Sequence, residues 1–91
     1  MEATDAQTLR QKLAVEQRKM EIEVEYLEKV HEIKLRLFDM ETFRMALEEQ
    51  SRLRSLGYTA ERINQQIAEL TQQREDIRQQ MAEQKIGRAH V

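Results

Sequence analysis

Between about Thr4 and Leu56 the apolar residues recur at spacings of three, four and seven, and the stretch holds no Gly or Pro. That periodicity predicts one uninterrupted α-helix, roughly 80 Å long at 1.5 Å per residue. Advancing 100° per residue gathers Leu9, Leu13, Met20, Val24, Leu27, Leu35, Phe38, Met45, Ala46, Leu53 and Leu56 into one stripe about 100° wide. A second group lies on the broadly opposite side: Val15, Ile22, Tyr26, Val30, Ile33, Leu37, Met40, Phe43 and Leu47. A helix with two apolar faces needs more than one neighbour.

The only internal punctuation is Ser55-Leu56-Gly57-Tyr58-Thr59. Gly57 suits the left-handed residue just beyond a helix C-terminus, where a Cβ would clash with the following carbonyl. Thr59 suits the N-cap of a following helix, with Glu61 facing its positive end. Tyr58 and Ile63 then occupy the two positions of a hydrophobic staple, while Arg62 stands where a capping box would want Glu or Gln. The expected organisation is a single helical hairpin over 1–91: a helix at about 4–56, a turn at 57–58, a helix at about 59–85 and a tail at 86–91.

The second helix carries a seam at Ile63, Ile67, Leu70, Arg74, Ile77, Met81 and Gln84, alternating steps of four and three as in a coiled coil. A tight reversal at Gly57 pairs positions whose numbers add to roughly 115, which puts Arg74 near Glu41 and Gln84 near His31. The Gln-Gln pairs at 65–66, 72–73 and 79–80 recur every seven residues and fall on the outer face. This short helix covers the first stripe only from about Val30 to Leu56. The second stripe, and Leu9 to Leu27 of the first, need another partner, because an apolar face of that length is not left in water.

A second copy is the expected partner, since twofold pairing is the commonest oligomer symmetry. The second stripe is centred near residue 31, so two long helices would cross antiparallel there, each N-terminal half lying along the other subunit's hairpin. The expected interface is Val15, Ile22, Tyr26, Val30, Ile33, Leu37, Met40 and Leu47. The fold class is therefore all-α: a long helix folded back on a shorter one, assembling into an intermolecular bundle, most simply a homodimer.

One rival reading is α+β. Met20 to Tyr26 and Glu32 to Leu37 alternate with period two, the pattern of strands, which suggests a β-hairpin at about 20–38. Against it, the joint Leu27-Glu-Lys-Val-His31 offers no Gly, Asn, Asp or Pro for a tight turn, and Glu and Lys are poor strand formers.

Composition narrows the function classes. The 91 residues include no Cys, Pro or Trp, so neither a disulfide framework nor a thiolate metal site is expected. No apolar run approaches the roughly 20 residues of a membrane span, and Met1 to Arg10 lacks the basic-then-apolar order of a signal peptide. A cytoplasmic protein without membrane contact is expected. Fifteen Lys and Arg against seventeen Asp and Glu give a net charge of −2, so no global field steers the chain to nucleic acid.

Candidate chemistry is sparse. Glu28 and His31 have the Glu-x-x-His spacing of carboxylate-bridged di-iron bundles, but such a site needs a Glu from each of two more helices, and the facing seam offers Met81 and Gln84. Glu21, Glu23, Glu25 and Glu28 resemble the Glu-x-x-Glu element of all-helical nucleotide pyrophosphohydrolases, whose second element, Glu-x-x-Asp, has no match at Asp39 or Asp76. With no Cys, with Ser51 and Ser55 next to the reversal and with His90 in the tail, no nucleophile–base set is evident. Nor is there a Gly-rich phosphate loop.

Arg36, Arg44, Arg52, Arg54 and Arg62 lie toward the reversal and would make a basic tip, although Glu48, Glu49 and Glu61 are interspersed. Residues 56–63, Leu-Gly-Tyr-Thr-Ala-Glu-Arg-Ile, resemble the segment before the dimerisation helix of MerR-type regulators. That resemblance covers eight residues of hairpin chemistry and implies a dimeric, DNA-associated protein, but the winged-helix domain those regulators carry upstream has no counterpart here. The expected function is protein–protein interaction, as a small homo-oligomeric scaffold, adaptor or regulatory subunit that is not an enzyme and takes no cofactor. The alternatives are a nucleic-acid-associated regulator using these arginines, or a metal-binding bundle built on Glu28 and His31. Another helical protein could stand in for the second copy.

Overall fold

The computed structural model describes residues 2–84; the tail expected at 86–91 lies outside them. Two helices make up the fold, α1 from Glu2 to Ser55 and α2 from Ala60 to Glu83, packed against each other. The molecule measures 84 × 21 × 11 Å with a radius of gyration of 23.7 Å. A compact chain of this size would have a radius near 13 Å, so this is a rod.

α1 is continuous because nothing along it interrupts backbone pairing and its outer face supports itself. Arg18 donates to Glu21 at 3.2 Å, Lys19 lies 3.5 Å from Glu16, and Arg44 donates to Glu48 at 2.6 Å. These are three- and four-residue spacings that stabilise a helix locally by a few tenths of a kcal/mol each. The residues that alternate at 20–38 lie within this helix, and no strand occurs among the described residues. The β-hairpin expectation is thus corrected. Its alternation comes from two apolar faces on one helix, where residues two apart, about 200° around the axis, point to opposite sides for a few turns.

The reversal has the geometry its residues imply. Gly57 has φ +83°. Its N–H donates to the Arg54 carbonyl and the Tyr58 N–H donates to the Leu53 carbonyl, both at 3.1 Å. This pair of bonds is the Schellman closure of a helix end and satisfies two carbonyls that α1 leaves without intrahelical donors. Arg52 and Arg54 sit in the last turn of α1, beside the negative end of its dipole. On the other side, the Thr59 side chain accepts from the Arg62 N–H at 3.2 Å and caps α2. Arg62 therefore serves the cap through its backbone.

Packing is deepest at the turn. Leu53 is 1% exposed and Ile63 5%, and they are the only buried apolar side chains among the described residues. Away from the turn, Leu35, Phe38, Met45 and Ala46 of α1 are half-buried opposite Ile67, Leu70 and Met81 of α2. Two helices alone cover a narrow seam, and Ile77, expected on it, is exposed. At that level the Arg74 guanidinium lies 3.9 Å from the centre of the Phe38 ring, and Arg78 reaches across to Asp39 at 2.7 Å. Cation and ring occupy the seam where Ile77 would otherwise pack.

Candidate interaction surface

Three surfaces could carry function: the polar seam, the arginines of the turn, and the uncovered faces of α1. In the seam, Arg74 lies between the helices with its side chain 15% exposed. Its Nε donates to Thr42 Oγ1 at 2.9 Å, and the Thr42 hydroxyl donates in turn to the Phe38 carbonyl at 2.9 Å. Glu41 Oε2 stands 3.8 Å from Nη2. The expected partner is in place as a charge neighbour, but the direct bond goes to Thr42. Thr42 is the polar residue of the first stripe at the level of Arg74, and that register match was the signal for it. The seam cation is thus bonded to one hydroxyl and lies beside a carboxylate and a ring face, while its buried Nη2 makes no hydrogen bond to any described residue.

At the open end of the seam His31 and Gln84 line one shallow groove with Leu27, Val30, Lys34 and Met81. The expected proximity is present, yet His31 Nε2 is buried and makes no hydrogen bond to any described residue. Glu28 is exposed, outside this groove. Among the described residues no three of His, Asp and Glu gather closely enough to hold a metal ion. The described residues therefore supply no third ligand beside Glu28 and His31.

The arginines of the turn are unevenly committed. Arg52 pairs with Glu49 through both Nε, at 3.0 Å, and Nη2. The hydrogen bond from Arg52 holds the Glu49 carboxyl below its ordinary range, and the same bond raises the Arg52 guanidinium. Arg44 is shared by Glu48 and Glu41. Carboxylates thus answer two of the five cations expected to form a basic tip, which weakens the field a phosphate backbone would meet. The Ser55 hydroxyl donates to the Ser51 carbonyl at 3.0 Å and is spent on the helix end.

The largest unoccupied feature is the apolar surface of α1. α2 reaches back only as far as the groove at Leu27 and His31, so the N-terminal part of α1 projects as a bare helix. Along it Leu9, Leu13 and Met20 are 57–64% exposed, with Val24 and Leu27 close to 40%. Of the second stripe, Val15, Ile22, Tyr26, Ile33, Leu37, Met40 and Leu47 are all at least half exposed, Phe43 is 67% exposed, and Val30 is half-buried beside the end of α2. The structure therefore brings the eight expected interface residues onto one continuous face, turned away from α2 except at Val30. The grooves beside it, such as that of Thr8, Gln11, Lys12, Val15 and Glu16, are open depressions rather than enclosed cavities. Among the described residues no helix is long and apolar enough to cross a membrane.

No protein-family model matches this chain, and comparison with curated proteins and with solved structures also returns no match. The eight-residue likeness to MerR-type regulators thus stands without wider support.

Proposed function

We propose that this protein is a non-enzymatic interaction module that works as a homo-oligomer, a small helical scaffold, adaptor or regulatory subunit. The observation that carries the reading is the second stripe. From Val15 to Leu47 it presents large apolar side chains, nearly all of them half exposed or more, over about 50 Å of helix. The largest apolar patch on a typical monomer is roughly 300–600 Å², and this face exceeds it. Among the described residues only Leu53 and Ile63 are buried apolar side chains, so most of the hydrophobic free energy is realised between chains.

The site chemistry points the same way. The seam cation is locked between the helices, the hydroxyls near the turn bond to backbone, and His31 has no acidic partner set, so the polar groups serve architecture. Light scattering on the purified protein tests the proposal. A mass of at least twice the 10.9 kDa chain is expected, and a mass near 10.9 kDa overturns it.

A further inference from the structure

The second stripe is arranged so that it complements itself when reversed. Val15 and Leu47, and Ile22 and Met40, stand at equal distances on either side of residue 31, while Val30 lies almost at the centre. Laid antiparallel on its own copy, the stripe therefore meets apolar side chains at each of these levels. Reversal leaves each edge of the stripe facing the same edge of the copy, so the charges along the edges choose the register.

With positions paired so that their numbers add to about 60 to 62, Lys12 meets Glu48, Glu16 meets Arg44 and Lys19 meets Glu41 on one side, where Lys12, Lys19 and Arg44 stand at seven-residue steps from Tyr26 and Leu37 of the stripe itself. Along the other edge Glu25 meets Arg36 and Lys29 meets Glu32. Sliding the copy by about three residues sets Glu16 against Glu48 and Lys19 against Arg44, which repel. Like charges also meet in this register, Glu28 opposite Glu32, Arg18 opposite Arg44 and Glu21 opposite Asp39, and of these Asp39 is already neutralised by Arg78 of its own chain at 2.7 Å. Among the described residues, Lys12, Lys29, Glu32 and Arg36 make no ion pair within their own chain.

From this agreement of apolar spacing, edge charge and area we infer that the occupant of the second stripe is a second copy of the chain, running antiparallel and centred at Val30–His31. The inference rests on the homo-oligomer reading and adds its orientation and register. The exposed side chains of the stripe offer on the order of 800 Å² per chain, the contribution of one partner to a stable interface. Each copy then places its projecting N-terminal segment along the second-stripe face of the other's α1, beside the half that α2 backs.

The absence of native cysteine makes the orientation directly measurable. Single variants Ile22→Cys and Met40→Cys are prepared, checked for helix content and mass, and oxidised separately and as a mixture. Expected is a disulfide-linked pair only in the mixture, because an antiparallel copy puts Ile22 opposite Met40 and leaves the two Ile22 residues about 27 Å apart. Self-linking of either variant means a parallel pair and overturns the inference while leaving the homo-oligomer reading intact. A dimeric mass with no link in any sample places the interface on another face and also overturns it. A single-chain mass overturns both and leaves the stripe to a different helical protein.

Register is tested by exchanging charge at exposed positions, with helix content checked for each variant because Glu48 also pairs with Arg44 of its own chain. Lys12→Glu should weaken association threefold to tenfold at low salt, roughly the range of exposed ion pairs counted twice per dimer. Adding Glu48→Lys should restore it. A double variant weaker than the single one refutes the register.

Discussion

Replacing Gly57 by alanine isolates the backbone contribution of the reversal. Gly57 has φ +83°, and a Cβ built there meets no atom within 4 Å. No clash with surrounding side chains therefore enters, and the cost is the local one of a left-handed L-residue, whose Cβ crowds the following carbonyl, about 1–2 kcal/mol. Alanine also restricts the unfolded chain, which returns about 0.4–1 kcal/mol. The expected net loss is about 1 kcal/mol. Because asparagine visits the left-handed region readily, Gly57→Asn should lose less than alanine, and Gly57→Val more, since branching at Cβ adds to the strain. Chemical denaturation followed by far-ultraviolet circular dichroism at one fixed chain concentration reads these differences as shifts in midpoint at constant slope. An alanine variant as stable as the parent, or an asparagine variant worse than alanine, refutes the cap geometry. The ranking matters more than any single value, because a merely crowded site would order the three substitutions by size.

Other expected outcomes address the seam, the exposed stripe and pH. Changing Ile33 and Leu37 together to Asp should reduce the solution mass to that of one chain, since burying two carboxylates in an apolar interface costs several kcal/mol; an unchanged mass refutes burial of that stripe. Arg74→Met should leave the midpoint within about 1 kcal/mol of the parent, because the cation's desolvation offsets its contacts, whereas Arg74→Ala should lose about 1–2 kcal/mol through lost packing on Phe38. Denaturation curves of the two variants check this, and a larger loss for Met than for Ala contradicts it. The Glu49 carboxyl is held low by Arg52 in the folded chain, so their pair supports stability above the unfolded carboxyl value, near 4.3, and the support fades as pH falls through the folded value. Glu49→Gln should therefore have a flatter acid limb in a plot of stability against pH, and an identical limb would show that the pair contributes nothing.

Much of this architecture was legible because the determinants of a helical hairpin are local. Gly57 and Thr59 name the turn, and heptad-like spacing names the seam. Arg74 was placed near Glu41 by counting outward from the turn, which works because a helix advances by a fixed rise. The detail that escaped that counting depends on side-chain reach. Thr42 takes the direct bond from Arg74 because its hydroxyl can accept from the guanidinium while donating to the Phe38 carbonyl, an option that residue spacing does not display. Ile77 lies open for a related reason: apolar identity puts it on the seam, but Arg74 over Phe38 and Arg78 to Asp39 fill that level first. His31 came to the groove with Gln84 as expected, yet its Nε2 makes no hydrogen bond to any described residue, since sharing a level brings side chains near each other and does not orient them.

The bare N-terminal part of α1 has a thermodynamic consequence. Geometrically α1 is one helix, but its two ends have unequal reasons to be helical. Near Leu53 the backbone is held by tertiary burial, whereas before Leu27 only local propensity and pairs such as Arg18 with Glu21 support it. Most helical stability in proteins comes from packing of an apolar face rather than from propensity, so without a partner that end is held by local terms alone. Amide hydrogen exchange should then show protection falling from Leu53 toward Leu9 in dilute protein and rising at the low end as concentration increases. Protection that stays uniform along α1 at every concentration would contradict this. One continuous helix would in that way report how often its own chain is in company.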